Sequence, residues 1–251
     1  MALGIERKNI YREGKQAARD LVLKEAIEQV HKNHPAYGHY RLALELRIGK
    51  NRILRVMKIF GIKPPRRKSH FYLTKSTSHH TYTNLIKGLK PARIHQLWCS
   101  DLSYIKFQGR FWYLATIVDI LTRQVVAAQV GRYHNSEMVL TTIKLAINNT
   151  RQLPEIFHSD QGTEFMAQLC TNYLESFGVQ ISVSDKASPW QNGYQESFFG
   201  KFKDEAGDLN RFETVGELIE EIYGQIHYYN FERIHTALKM PPAVYAKLVT
   251  E

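Results

Sequence analysis

The sequence LWCSDLSYIKF, residues 97–107, decides the fold class of this chain. Its aromatic and branched apolar residues are typical of a buried strand, and the similar segments 111–119 and 124–130 predict two more strands. Three successive strands of this kind indicate an antiparallel meander. Asp101 interrupts the apolar pattern of the first strand, and a carboxylate that is buried without a partner destabilises the fold. The interruption therefore marks Asp101 as a candidate functional residue.

The segments after the meander alternate between helix and strand. Strands are predicted at residues 156–158 and 179–183, and helices at 136–149, at 166–177, from about Gln191 onward and at 215–228. The order β-β-β-α-β-α-β-α is that of an RNase H-like fold. We therefore predict an α/β core, a five-stranded mixed sheet with flanking helices, over residues 95–210. A C-terminal helix and tail are predicted over residues 211–251.

Charge is distributed unevenly along the 251 residues, which carry a net charge of +10. Residues 1–95 contain 21 Lys and Arg against 6 Asp and Glu, whereas residues 96–251 contain 13 against 18. A basic segment favours a nucleic acid partner, because each Lys or Arg that neutralises a phosphate releases a counterion. A merely soluble basic surface is the alternative. The apolar runs are too short to span a bilayer, and two cysteines make no disulfide framework, so we expect a cytoplasmic protein.

The basic part of the chain is predicted to be helical. Apolar periodicity indicates helices over residues 16–32, over 36–47 and from about Asn51 to Phe60, an all-helical, helix-turn-helix-like segment within residues 1–63. A basic linker over residues 64–94 follows. The outer side of the third helix is basic, as in a major-groove reader, although a solvated face of a small bundle has the same pattern. The candidate DNA contacts here are Arg52, Arg55, Lys58, Arg66, Arg67 and Lys68.

Three carboxylates are expected to meet at one edge of the predicted sheet. Asp101 lies in the first strand, Asp160 directly follows the fourth strand, and Glu196 lies in the long helix, with 35 residues between the last two. Converging carboxylates repel one another unless cations separate them, which favours a site for hard divalent ions such as Mg²⁺. Two such ions can support an in-line attack at phosphorus. Each acid alone has a plainer reading as a capping or solvated residue.

Several further motifs accompany the three acids. They are HPAYGHYR at residues 34–41, NRILRVM at 51–57, HSDQGTEF at 158–165, QNGYQESFF at 191–199 followed by Lys203, and a tail containing Tyr229, Asn230, Arg233, His235, Leu238, Pro242 and Tyr245. Together these motifs resemble the second-frame transposases of the bacterial insertion sequence 3 group. That group is part of the DDE transposase and retroviral integrase superfamily, and the resemblance covers nearly the whole chain.

The resemblance implies a function and a set of partners. It implies an integrase catalytic core that cleaves and joins DNA at the terminal inverted repeats of a mobile element, with Asp101, Asp160 and Glu196 as catalytic residues and ligands of two Mg²⁺ or Mn²⁺ ions. Lys203 and Asn192 are the implied DNA contacts in the core, although Lys203 also fits an ordinary solvent lysine. Target DNA, a homodimer or higher synaptic oligomer, an upstream-frame protein and a location at the bacterial nucleoid are implied as well.

Two alternatives stay open at the level of the sequence. One is a DNA-binding regulator, or an incomplete second-frame product without independent catalysis, and the other is an RNase H-like nuclease without strand transfer. We also expect four aromatic residues of the first two strands to pack in the core or on a face of the sheet rather than to stack on bases. These residues are Trp98, Phe111, Trp112 and Tyr113.

Overall fold

The computed structural model describes residues 7–65, 82–185 and 193–250, with side chains from residue 16 onward. The chain divides into two compact units, Met1–Lys68 and Ser69–Glu251. The finer segment boundaries predicted above stay predictions. Within the described ranges, no helix is long and apolar enough to cross a membrane. Four candidate DNA contacts lie outside the described residues, namely Arg66, Arg67, Lys68 and Asn192.

The N-terminal unit contains three helices, α1 (Arg7–Asn33), α2 (His39–Glu45) and α3 (Lys50–Ile59). Helix α1 begins earlier than its apolar pattern predicts, because its first turns are polar. Helix α2 begins later than predicted, since Gly38 is its N-cap residue and has an extended backbone. The core of the unit is formed by apolar side chains from all three helices, among them Leu23, Ile27, Leu42, Ile53 and Val56.

Arg55 on α3 has a partner inside this unit. Its guanidinium donates two hydrogen bonds to the Asp20 carboxylate of α1, one of them at 2.8 Å. Asp20 is only 5% exposed, and the bond from Arg55 is the largest cause that lowers its pKa. Arg52 and Lys58 of the same helix are exposed. Arg55 therefore has a structural role between α1 and α3, whereas Arg52 and Lys58 are exposed on the surface of α3.

We expect Arg55→Gln and Arg52→Gln to have different consequences. Arg55→Gln leaves the buried Asp20 carboxylate without its cation and should lower the Tm of the protein. Arg52→Gln should leave Tm unchanged and weaken binding to duplex DNA by roughly 3- to 10-fold at low salt, since one phosphate contact is lost. Circular dichroism melting and fluorescence anisotropy measure the two effects. A Tm of Arg55→Gln equal to that of Arg52→Gln would contradict the structural role.

The second unit is built on the predicted five-stranded sheet. The sheet order is β3-β2-β1-β4-β5, with β1 antiparallel to β2, β2 antiparallel to β3, and β4 parallel to both β1 and β5. The strands are β1 (Leu97–Phe107), β2 (Arg110–Asp119), β3 (Val125–Gly131), β4 (Ile156–Ser159) and β5 (Gln180–Val183). The helices are α4 (Ser136–Thr150), α5 (Gln168–Glu175), α6 (Gly193–Ala206), α7 (Val215–Phe231) and α8 (Pro242–Leu248), with a 3₁₀ turn at Leu209–Arg211.

Successive side chains of β1 point to opposite faces of the sheet, and each face has its own apolar core. Leu97, Cys99 and Ile105 pack with residues of α6 and α7, whereas Trp98 packs with residues of α4 and α5. By this alternation Asp101 belongs to the face that α6 covers. The meander, the mixed sheet and the helices on both faces are those predicted from the sequence.

Two residues of the tail motif, Asn230 and Arg233, bind the end of α7 to the rest of the unit. The Asn230 amide both accepts from the Val125 backbone N–H and donates to the Val125 carbonyl, each at 2.9 Å, which satisfies the first residue of the edge strand β3. Arg233 Nε lies 2.7 Å from both carboxylate oxygens of Glu205 on α6, and both side chains are buried. Helix α8 was missed in the sequence because it is a short element in a stretch interpreted as tail.

Candidate active site

The sheet register brings Asp101 and Asp160 side by side. Cys99 on β1 pairs with His158 on the parallel strand β4, so the two aspartates stand two residues further along neighbouring strands. The Leu102 backbone N–H donates to Asp101 at 2.8 Å, and the Gly162 N–H donates to Asp160 at 3.0 Å. A Cβ at position 162 would lie 3.0 Å from the Asp160 carboxylate, so glycine permits this close turn.

The end of β4 before Asp160 is held by a polar network. The buried His158 ring lies 2.9 Å from Ser182 Oγ and 3.0 Å from Ser184 Oγ, and burial lowers its pKa to about 4. Gln161 donates to the Ser184 carbonyl at 2.7 Å. In this structure His158 and Gln161 therefore join β4 to β5 and its following residue, and they fix the strand end from which Asp160 projects.

Glu196 is placed by its neighbour Gln195, which is fully buried. The Gln195 amide donates to the Cys99 carbonyl of β1 and accepts from Thr116 Oγ1 of β2 at 3.1 Å. Thr116 pairs with Asp101 across the antiparallel ladder. The amide therefore holds the first turn of α6 against the strand pair that carries Asp101, and Glu196 follows as an exposed side chain of that turn.

Gln195 was not singled out in the sequence. The available signal was a polar residue three and four positions before Phe198 and Phe199, at a place where the helical period predicts a buried side chain. A buried amide must find partners, and it marks a fixed contact between elements. The identity of those partners depends on strands that lie about a hundred residues earlier in the chain.

Negative charge accumulates around Asp101. The pKa of Asp101 is raised to about 8, first by burial and then by the charges of Asp160 and Glu196, against the opposing effects of the Leu102 N–H and the charge of Lys203. The pKa of Asp160 is also raised, first by loss of hydration and then by the charge of Glu164, against the hydrogen bond from Gly162. The site is therefore a cluster of carboxylates that would be stabilised by added positive charge.

The described residues contain no complete group of metal ligands. Among residues 7–65, 82–185 and 193–250, no three His, Cys, Asp or Glu side chains are grouped closely enough to hold a metal ion. The chemistry of the donors nevertheless fits a hard divalent cation, since Asp101, Asp160 and Glu196 offer only carboxylate oxygens.

Two other charged residues of the second unit, Lys203 and Asp119, lie in different places. Lys203 lies on α6, its charge acts on Asp101, and its Nζ is 4.9 Å from the centre of the Tyr104 ring. Asp119, a carboxylate at the end of β2, pairs with Trp98 at the opposite end of β1. It accepts from the His95 N–H at 2.7 Å and from the Thr122 N–H at 2.8 Å. Asp119 therefore closes the β2–β3 turn and does not support the Asp101 site.

Removing Gln195 should destabilise the protein in a way that depends on Thr116. Gln195→Leu leaves the Thr116 hydroxyl buried without this acceptor, at a cost of roughly 1–3 kcal/mol. The double variant Gln195→Leu, Thr116→Val should lose less free energy of unfolding than the sum of the single variants, because both polar partners are removed together. Urea unfolding measures all three, and strictly additive losses would contradict the contact.

Neutralising Asp101 should stabilise the metal-free protein. In Asp101→Asn the amide oxygen still accepts from the Leu102 N–H, while the cost of burying an ionisable carboxyl and its repulsion with Asp160 and Glu196 are gone. At pH 7.5 in EDTA, the free energy of unfolding should rise on the order of 1–3 kcal/mol. Glu220→Gln, a change at an exposed residue of α7, is the control and should have no effect. An unchanged or lower stability of Asp101→Asn would refute the accumulation of charge.

Comparison with known proteins identifies the class. Two models of the integrase core domain match residues 91–189 and 177–242, and together they span residues 91–242. The catalytic core domain of the HTLV-2 integrase, solved in complex with magnesium, superposes with a TM-score of 0.52 at 16% identity over 62% of this chain and 99% of that chain. This likeness shows the fold alone. The fold and the acidic edge thus define an integrase core, and the predicted RNase H-like architecture is confirmed.

The relatives define the group more narrowly. A transposase for insertion sequence element IS904 of Lactococcus lactis is 29% identical over 90% of this chain and 94% of its own length. An uncharacterized transposase-like protein of Haemophilus influenzae is 29% identical over 80% of this chain and 93% of its own length. This chain belongs to the DDE transposases of the insertion sequence 3-like group.

Proposed function

We propose that this transposase is a polynucleotidyl transferase that cleaves DNA at the terminal inverted repeats of a mobile element and joins the ends to target DNA. The observation that carries the proposal is the pair Asp101 and Asp160 on neighbouring parallel strands, with a raised pKa at both carboxyls. Side chains with raised pKa values at a strand-end site are typical of a catalytic centre. Glu196, which follows the Gln195 contact with β1 and β2, is the third acid of the proposed triad.

The three acids are the proposed ligands of Mg²⁺ or Mn²⁺, two ions to a site. Bound there, the ions would supply charge stabilisation for the attacking and leaving oxygens of an in-line displacement at phosphorus. The role of the protein itself is to hold the three carboxylates in position. Asp101 is fixed by the ladder between β1 and β2, and Asp160 by the Gly162 turn. Glu196 is fixed through Gln195, so that a phosphate can approach only in the orientation these elements permit.

DNA contacts are proposed for basic and polar residues around the acids and on α3. Lys203 is placed to contact a phosphate next to Asp101, since its charge already acts on that carboxylate. The other proposed contacts are Asn192, Arg52, Lys58, Arg66, Arg67 and Lys68, with Arg55 contributing through its position between α1 and α3. Phosphate contacts of this kind fix the register of a protein on DNA without reading its sequence.

A synaptic oligomer is part of the proposal, because two element ends must be held together during strand transfer. The simian T-cell lymphotropic virus intasome, a solved structure in complex with a regulatory subunit, contains a chain that superposes on this one with a TM-score of 0.55 at 14% identity. That likeness extends to the fold only. We propose a homodimer or larger assembly on DNA, and an upstream-frame protein as a further partner.

The decisive experiment is strand cleavage and joining on labelled terminal inverted-repeat DNA in Mg²⁺ or Mn²⁺. We expect nicked and joined products with the wild type and with Glu220→Gln, and at least a 100-fold slower reaction with Glu196→Gln, because an acid that acts only in the reaction is removed. Gel shifts on the same DNA should show binding by all three proteins. DNA binding without any product from the wild type would favour the binding-only regulator instead.

Mg²⁺ binding can be measured without DNA cleavage. Added Mg²⁺ should raise the Tm of the wild type, because an ion that binds only the folded state stabilises it by mass action. Thermal melting measures this shift. The same addition should change the Tm of Asp101→Asn much less. Equal shifts in both proteins would place the ion elsewhere.

A further inference from the structure

Two large aromatic side chains lie exposed next to the acidic site. Tyr104 of β1 is 43% exposed and Phe111 of β2 is 49% exposed, and their rings meet edge to face with centroids 5.7 Å apart. Phe111 therefore packs against Tyr104 on the face of the sheet and stays exposed, whereas Trp98 is fully buried. The physical reason is that helices cover this face of the sheet at its Trp98 end, while the β1–β2 hairpin extends beyond them.

Lys203 links the Tyr104 and Phe111 rings to the acids at an edge of β1 that no described strand covers. Strand β4 pairs with β1 only from Leu97 to Cys99, and no described strand pairs with β1 further along on that side. Lys203 belongs to the helix on the opposite face, yet its ammonium lies 4.9 Å from the Tyr104 ring and its charge acts on Asp101. Lys203 therefore reaches around the open edge and joins the carboxylates to the aromatic pair.

Positive charge is interleaved with the rings. Lys106 is exposed and pairs with Phe111 across the ladder, so the two side chains share one face, and Arg110 is exposed at the tip of the same hairpin. Aromatic rings next to basic side chains are the usual surface for single-stranded nucleic acid, because the cations contact phosphates while the rings stack on bases. A surface of this composition is complementary to a DNA strand in both charge and apolar area.

We propose that Tyr104 and Phe111 bind an unpaired nucleotide of the DNA strand whose phosphate lies at Asp101 and Lys203. The inference rests on the proposed function and assigns a contact that the acidic triad does not provide. A paired base inside a duplex has both faces covered by its neighbours, so a ring can stack only on a base that is unpaired or terminal. The aromatic pair thus favours DNA that is frayed beside the reacting phosphate.

The test compares the binding of two fluorescent DNAs by the full chain in EDTA. One is a duplex with a short single-stranded 3′ tail of thymidines, and the other is the same duplex with blunt ends. We expect the wild type to prefer the tailed DNA, and Tyr104→Ala and Phe111→Ser to lose roughly 5- to 100-fold in affinity for it while keeping their affinity for the blunt duplex. Tyr104→Phe, which keeps the ring, should retain the preference.

The controls separate stacking from charge and from folding. Lys203→Ala should weaken the binding of both DNAs alike, and Tyr133→Ala, at a 74% exposed tyrosine outside the pair, should change neither. Melting curves report whether each variant folds. An equal tailed-to-blunt ratio in wild type and in folded Tyr104→Ala overturns the stacking assignment. Mg²⁺-dependent cleavage by the same preparation would then show that the proposed function stands without it.

Discussion

Repulsion among carboxylates at the end of a buried strand is the constraint on which this structure depends. Asp101 lies in the central strand of the sheet, beside Asp160. The charges of Asp160 and Glu196 both disfavour the ionised form of Asp101. Such an arrangement lowers the stability of the folded chain unless a cation or a substrate compensates for it. The rest of the fold must therefore hold these groups together against their own charge, and buried polar contacts in the second unit hold its helices and strands in place.

Three of those contacts fix one element each. Gln195 holds the first turn of α6 on β1 and β2, and Asn230 holds the end of α7 on β3. His158 joins β4 to the end of β5 through two serines. Each is a buried hydrogen-bonding group satisfied by a specific partner, so each fixes a register that apolar packing alone leaves loose. Apolar clusters on both faces of the sheet supply the stability, and these polar contacts supply the geometry.

The sequence predicted most of the architecture because the pattern of each element is local. The first strand is found at the predicted residues, since its apolar and aromatic run is continuous. The contacts of Gln195 and Arg55 were not predicted from the sequence, for a common reason. Their partners, Thr116 and Asp20, are distant in sequence, so neither amide nor guanidinium reveals locally that its hydrogen bonds are made inside the protein. Phe111 stays exposed because its strand is covered by helices only at one end.

For the same reason, the candidate acids are easier to recognise in the sequence than the candidate DNA contacts. A carboxylate in an apolar strand is conspicuous, because the fold has no use for it there, and Asp101 was found for that reason. A basic residue on a helix surface has two ordinary uses, as Arg55 and Arg52 illustrate on one helix. Exposed aromatic side chains differ from basic ones, because a folded protein usually buries them. Tyr104 and Phe111 are aromatic side chains that remain exposed where the helices do not cover the β1–β2 hairpin. Their use must therefore be sought in what binds there, and the neighbouring cations favour a nucleic acid.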